Sequence, residues 1–126
     1  MNSTELKNRT KEFAKDVILL VDKMPNKRIS NVISNQILGS ATSVGANYRS
    51  ACRARSKADF ISKITIVEEE ADETLYWLEL IDELNLTDKD DLYKLMNETK
   101  ELVAIFTATG KTTKLNIRNL KSEIRN

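Results

Sequence analysis

The sequence predicts an all-α chain folded as an antiparallel up-and-down four-helix bundle, and three observations predict it. The 126 residues hold only three Gly and one Pro, which is poor material for turn-rich β structure and good material for long helices. Apolar residues recur every three or four positions in four separate segments. The breaks between those segments are short and polar, and short links between long helices make antiparallel neighbours.

Helix one is expected over residues 4–23, where Leu6, Phe13, Val17, Leu20, Val21 and Met24 form one stripe, with Asn2 or Ser3 as cap and Pro25 closing the end. Helix two, 28–55, carries no proline and ends where Ser56 opens Ser-Lys-Ala-Asp, a variant of the capping box that restarts a helix in a new direction. Helix three runs to about 84, with Asn85 as its stop. Thr87-Asp88-Lys89-Asp90 repeats the capping pattern before Leu92, Leu95, Met96, Thr99, Leu102, Val103 and Phe106 mark helix four. Gly110 is expected to weaken the end of that helix. One bundle domain over residues 1–110 is then followed by a basic tail or frayed helix end over 111–126.

Composition removes much of enzyme chemistry. A single cysteine, Cys52, and no histidine exclude an internal disulfide and any multi-cysteine metal site, and remove the commonest metal ligand and general base. The run Glu68-Glu69-Glu70-Ala71-Asp72-Glu73 invites comparison with carboxylate metal sites. Di-iron bundles, however, use Glu-x-x-His pairs from two helices, and here one helix carries the carboxylates. Cys52 has no histidine to activate it and is expected to be a small buried residue. The expectation is a non-enzymatic protein with no metal and no cofactor. The longest fully apolar run, Val17 to Val21, is far shorter than the ~20 residues of a membrane span, and the first residues lack an apolar leader-like stretch. A cytoplasmic protein without a membrane partner is expected.

Three surfaces stand out on helices two and three. Gln36, Ser40, Ser43 and Asn47 fall within about 60° of one another, on the line begun by Ile29, Val32 and Ile33. With Gly39, Ala41, Gly45 and Ala46 nearby, they predict close helix approach and a buried polar network. Helix three has two apolar faces. Phe60, Ile64, Val67, Ala71, Leu75 and Leu78 make a core face. Ile66, Trp77, Leu80, Ile81 and Leu84, with Glu70 and Glu73 set among them, make a second. An apolar face of that size points to a subunit interface or to cover by helix four or the tail. Finally, the net charge of +1 conceals a division: residues 28–57 hold Arg28, Arg49, Arg53, Arg55 and Lys57 with no acid, whereas 68–91 hold eleven acids and one lysine. Arg28, Asn35, Thr42, Arg49 and Arg53 share one outer side of helix two at spacings that suit a phosphate backbone, with Tyr48 the one aromatic among them. Pairing of these arginines with acids of the same or a neighbouring subunit is the competing reading.

The segments Gln36-Ile37-Leu38, Ser43-Val44-Gly45-Ala46-Asn47-Tyr48-Arg49, Ala58-Asp59-Phe60 and the block from Ile66 to Glu73 together resemble the bacterial four helix bundle proteins of the 23S rRNA intervening-sequence family, over about residues 8–108. That resemblance implies an up-and-down bundle assembled as a homopentamer and often encoded within insertions in large ribosomal RNA genes. It also implies a relation to the accessory variability determinant proteins of diversity-generating retroelements, pentameric bundles that bind nucleic acid and a reverse transcriptase. Carried onto this chain, it makes Arg49, Arg53, Arg55 and Lys57 candidate nucleic-acid contacts, and it implies no catalytic residue. The expected function is a non-enzymatic homo-oligomer that binds structured RNA or DNA. The alternative is a protein-interaction scaffold that does not touch nucleic acid.

Overall fold

The computed structural model describes residues 1–125, with side chains through Glu123; residue 126 of the expected tail lies outside the described residues. Four helices make up the chain: α1 Ser3–Asp22, α2 Arg28–Ala51, α3 Lys57–Glu83 and α4 Lys89–Arg125. Neighbours in sequence pack as neighbours in space, and α1 also meets α4, which closes an up-and-down bundle. Each stripe read from the sequence supplies the core. Phe13, Val17, Ile33, Ile37, Val44, Ile64, Val67, Leu78, Leu92, Leu102 and Phe106 are all fully buried, each contributing about 1.5–3 kcal/mol of hydrophobic stabilisation.

The helix ends follow local side-chain chemistry. Asn2 caps α1, its Oδ1 accepting the Glu5 N–H at 2.8 Å while its Nδ2 donates to Glu5 Oε1 at 3.3 Å. Ser56 caps α3 by accepting the Asp59 N–H at 3.0 Å, and Asp59 Oδ2 accepts the Arg55 N–H at 3.1 Å in return. That second bond draws Arg55 into the turn, and α2 ends at Ala51 rather than near 55. Asn85 adopts φ 54°. The Leu86 N–H reaches the Ile81 carbonyl at 3.0 Å and the Asn85 N–H the Asp82 carbonyl at 3.0 Å, the paired bonds of a Schellman stop.

Two expected boundaries move. The cap of α4 is Asp88, not Thr87: Asp88 Oδ1 lies 3.5 Å from the Asp90 N–H, and the Thr87 hydroxyl is buried without a protein partner. The α3–α4 link, residues 84–88, is as long as the α2–α3 link, residues 52–56, and each places its cap immediately before the next helix. Gly110 does not end α4. It is buried, with Ile64 Cγ2 the atom nearest to where its Cβ would stand, and the helix continues to Arg125. A single mid-helix glycine costs about 1 kcal/mol, too little to stop a helix already docked on its neighbour.

Because Asn85 carries the left-handed turn that ends α3, Asn85→Ala is expected to lower the unfolding free energy by about 1 kcal/mol, whereas Asn85→Gly holds or raises it. Urea denaturation reads both, and coincident midpoints for the two variants would contradict the assignment.

Candidate functional site

In an up-and-down bundle the start of α1, the end of α2, the start of α3 and the latter part of α4 share one end. That end gathers cations from three helices. An open recess of about 610 Å³ is lined by Lys7 of α1, Arg49 and Ser50 of α2, Arg53 and Arg55 of the turn, and Lys63 of α3. It shares Lys7 and Arg49 with a second recess of about 430 Å³ along the α1–α2 seam, where Lys11 adds another cation. No Asp or Glu lines either wall. The seam is hollow because α2 presents Thr42, Gly45 and Ala46 there. A Cβ on Gly45 would stand 3.1 Å from Thr10 Oγ1, so glycine permits α1 to approach.

The arginines of this end are unpaired. No carboxylate among the described residues lies within ion-pair distance of Arg49, Arg53, Arg55 or Lys57, although six ion pairs form among those residues, one at this end between Lys63 and Asp59 and another the fork of Arg9 onto Glu98 at 2.6 and 2.7 Å. Pairing with acids of the same chain is therefore not their role. The one local carboxylate, Asp59, is committed to the Arg55 N–H and to Lys63 Nζ at 3.1 Å, and these bonds hold its carboxyl below the ordinary range. Lys7, Lys11 and Lys63 were not among the predicted residues. They come from separate helices and meet only through topology.

Several expected members lie elsewhere. Arg28 opens α2 and stands roughly 31 Å along the helix from Arg49, at the end where the acids of α3 and α4 begin and finish. Tyr48 is buried, its ring 5.5 Å from that of Phe106, and offers no face to a base. Burial, then the hydrogen bond with Cys52, push its phenol far up. Cys52 itself is exposed rather than buried, because it stands past the last helical residue of α2, at the start of the turn.

The buried polar network is smaller than expected. Ser40 is buried and accepts a hydrogen bond from Thr74 Oγ1 at 2.8 Å while donating to the Ile37 carbonyl at 3.2 Å. Thr74 was the unpredicted partner. Gln36 is exposed, and Ser43 and Asn47 are half-buried, linked by the Asn47 amide donating to the Ser43 carbonyl at 2.8 Å. Their line looks outward because the α3 flank of α2 begins at Ser40, leaving Ile29 and Val32 exposed at 43% and 49%.

On α3, Thr74 marks the flank toward α2, and Glu68, which accepts the Thr107 hydroxyl at 2.8 Å, marks the flank toward α4. The second apolar face lies on the α2 side. Ile66 and Leu84 are exposed, Trp77, Leu80 and Glu70 half-buried, and Glu73 exposed. Ile81 does not belong to it. It is fully buried, one step round the helix toward the core. Helix four, on the opposite flank, leaves this face open. With Ile29, Val32, Gly39 and Ser43 of α2 it makes one outer surface of the α2–α3 hairpin. Partial burial, then the charges of Glu73 and Glu69, raise the Glu70 pKa above the usual carboxylate range. Among the described residues no cluster of three His, Cys, Asp or Glu is placed to hold a metal ion, and no helix is long and apolar enough to cross a membrane.

A raised folded-state pKa means that Glu70 binds its proton more readily in the fold, so its contribution to stability falls as pH rises through that pKa. Glu70→Gln is expected to raise the melting temperature by a few degrees at neutral pH, with the gain vanishing below about pH 4. Thermal melts across pH check this, and an equal or lower melting temperature at neutral pH would contradict it.

Comparison with known proteins agrees with this architecture. No curated protein is significantly similar to the chain. A crystal structure of a protein of unknown function from the S23 ribosomal protein family of Bacteroides thetaiotaomicron is 36% identical, with a TM-score of 0.80 over 88% of this chain and 99% of that one. The family model for the 23S rRNA-intervening sequence protein matches residues 2–108. Those residues hold α1, α2, α3, the cationic recesses and the docked part of α4, and the chain belongs to the 23S rRNA-intervening sequence protein family.

Proposed function

We propose that the protein is a non-enzymatic, cytoplasmic homo-oligomeric bundle that binds structured RNA or DNA through its cationic end. The unpaired arginines carry this reading. Arg49, Arg53 and Arg55 stand around one recess with Lys7 and the Asp59-paired Lys63, and without an acid in its wall, an arrangement that attracts a polyanion. Guanidinium forks suit phosphate oxygens, and the binding is set by backbone charge rather than by base contacts. A ribosomal RNA association in the family's name is consistent with such a partner.

Assembly is proposed through the outer face of the α2–α3 hairpin. Gly39 supports it: the residue lies inside α2, exposed, with nothing within 4 Å of where a Cβ would stand. A glycine there costs the free helix about 1 kcal/mol and is explained if another subunit's backbone approaches it. Exposed Val32, Ile29, Ile66 and Leu84 supply apolar area around it. The family resemblance supports five subunits.

Anisotropy of a labelled RNA hairpin and a DNA duplex across a salt series is expected to show micromolar or tighter binding at low salt that weakens steeply as salt rises. Arg53→Glu should weaken it on every sequence. Absence of binding at low salt would instead favour a protein scaffold. Val32→Glu should yield a monomer of unchanged helicity in sedimentation. A variant of unchanged mass would rule out this face as the assembly contact.

A further inference from the structure

Past Gly110 the sequence carries a pattern that the bundle does not use. Lys111, Lys114, Arg118 and Lys121 recur at intervals of three and four, which puts them on one stripe about 15 Å long. All four are exposed, and none forms an ion pair among the described residues. The acid of this stretch, Glu123, falls on another side of the helix. The family model ends at residue 108, so the stripe is an addition to the family's bundle.

Its placement follows from the α3–α4 register. The Thr107–Glu68 hydrogen bond and the Gly110–Ile64 contact put residue 117 level with the start of α3 near residue 57. Thr107 reaches α3 from the same helical side that Lys111, Lys114 and Arg118 occupy. The stripe therefore passes the start of α3, with Lys57, and ends about one turn beyond it, level with the turn that carries Arg53 and Arg55, while the helix itself overshoots the start of α3 by about two turns. Along the bundle axis the levels of Lys11 and Lys121 are roughly 25 Å apart, about seven base pairs of duplex, with the cationic turn at the bundle end between the α1–α2 seam that holds the former and the α3 side of α4 that holds the latter.

No aromatic side chain is exposed at this end among the described residues. Tyr48 and Phe106 are buried and Phe60 packs on the core, while exposed Tyr76 and Tyr93 belong to the end of α3 and the start of α4, at the acidic end. Single-strand binders stack bases on aromatic platforms, whereas a duplex offers a regular phosphate backbone to a cationic stripe. We infer that the α4 extension is a second phosphate-contacting arm continuous with the cationic recesses, and that the partner it fits is double-stranded nucleic acid. This rests on the nucleic-acid reading above.

The test is full-length protein in which Lys111, Lys114, Arg118 and Lys121 are all changed to Gln, a substitution that keeps helix propensity. Anisotropy is recorded against an RNA duplex of about 20 base pairs, its single strand, and vesicles containing phosphatidylserine, beside wild type and Arg53→Glu. Wild type should prefer duplex over single strand. The quadruple variant should lose about 3 to 4 from the slope of log affinity against log salt, near 0.9 for each phosphate released. Unchanged slope in that variant, with Arg53→Glu still weakened, overturns the arm while leaving the cationic end intact. Equal binding of single strand and duplex overturns the duplex assignment, and a loss confined to the vesicles overturns nucleic acid as the partner of the arm. Failure of wild type to bind duplex at low salt removes both readings together.

Discussion

A buried hydrogen bond from Thr74 Oγ1 to Ser40 Oγ, 2.8 Å long, sets the register on which the other features of the α2–α3 hairpin depend. Each oxygen also lies within hydrogen-bond distance of a carbonyl of its own helix, Thr74 Oγ1 at 2.8 Å from Glu70 and Ser40 Oγ at 3.2 Å from Ile37, and the two protons of the pair serve the link between them and one of those carbonyls. A slip of one residue would leave two polar groups unmatched in an apolar layer, at about 1–3 kcal/mol for each. With Ser40 opposite Thr74, Val32 and Ile29 come level with Leu80 and Leu84, and Ser43 and Asn47 come level with Glu70 and Ile66. The outer face is thereby apolar at one end and polar at the other.

The same register separates charge along the axis. In sequence, a basic block that ends at Lys57, the first residue of α3, is followed from Glu68 by an acidic block that runs along α3 and into α4. In the hairpin the cations from Arg49 to Lys57 gather at one end while the acids run from the middle of α3 to the other, because α3 is 27 residues long and spans about 40 Å. That length is several screening lengths at physiological salt, so neither end neutralises the other. The near-zero net charge of the chain conceals a molecule with one cationic pole.

What the sequence made legible was whatever a single segment decides. Asn2, Ser56 and Asn85 are local chemistry and act as read, and the core stripes need only the helical period. What was not legible depends on which flank of a helix meets its neighbour. Gln36 and Ser40 differ by one turn and by about 40°, yet one is exposed and the other buried, because α3 covers only the latter. Ile81 was misplaced for the same reason. Lys7, Lys11 and Lys63 carry no signal in isolation and become a site only when topology brings three helices to one end, while Arg28, on the same side of α2 as Arg49, is taken away to the other. Gly110 was expected to weaken the end of α4 because propensity was weighed without the contact with Ile64 beside it.

The two proposed surfaces do not compete for residues, and this separation bears on affinity. The assembly face is built from the outer sides of α2 and α3 between Ile29 and Leu84, whereas the cationic pole is the bundle end carrying Lys7, Arg53 and Lys63. Subunits joined side by side through the former would hold their cationic poles in one plane and leave each pole open. Each pole offers a handful of phosphate contacts, which alone gives the weak, salt-sensitive binding expected of a nonspecific site. Were one pole engaged, a neighbouring pole would meet the same duplex at an effective concentration set by a rigid spacing rather than by a flexible linker, and avidity would rise without any new kind of contact. Such an arrangement selects for length and shape of the nucleic acid. A short or single-stranded piece would satisfy one pole, and a folded or duplex segment long enough to reach a neighbouring subunit would satisfy several.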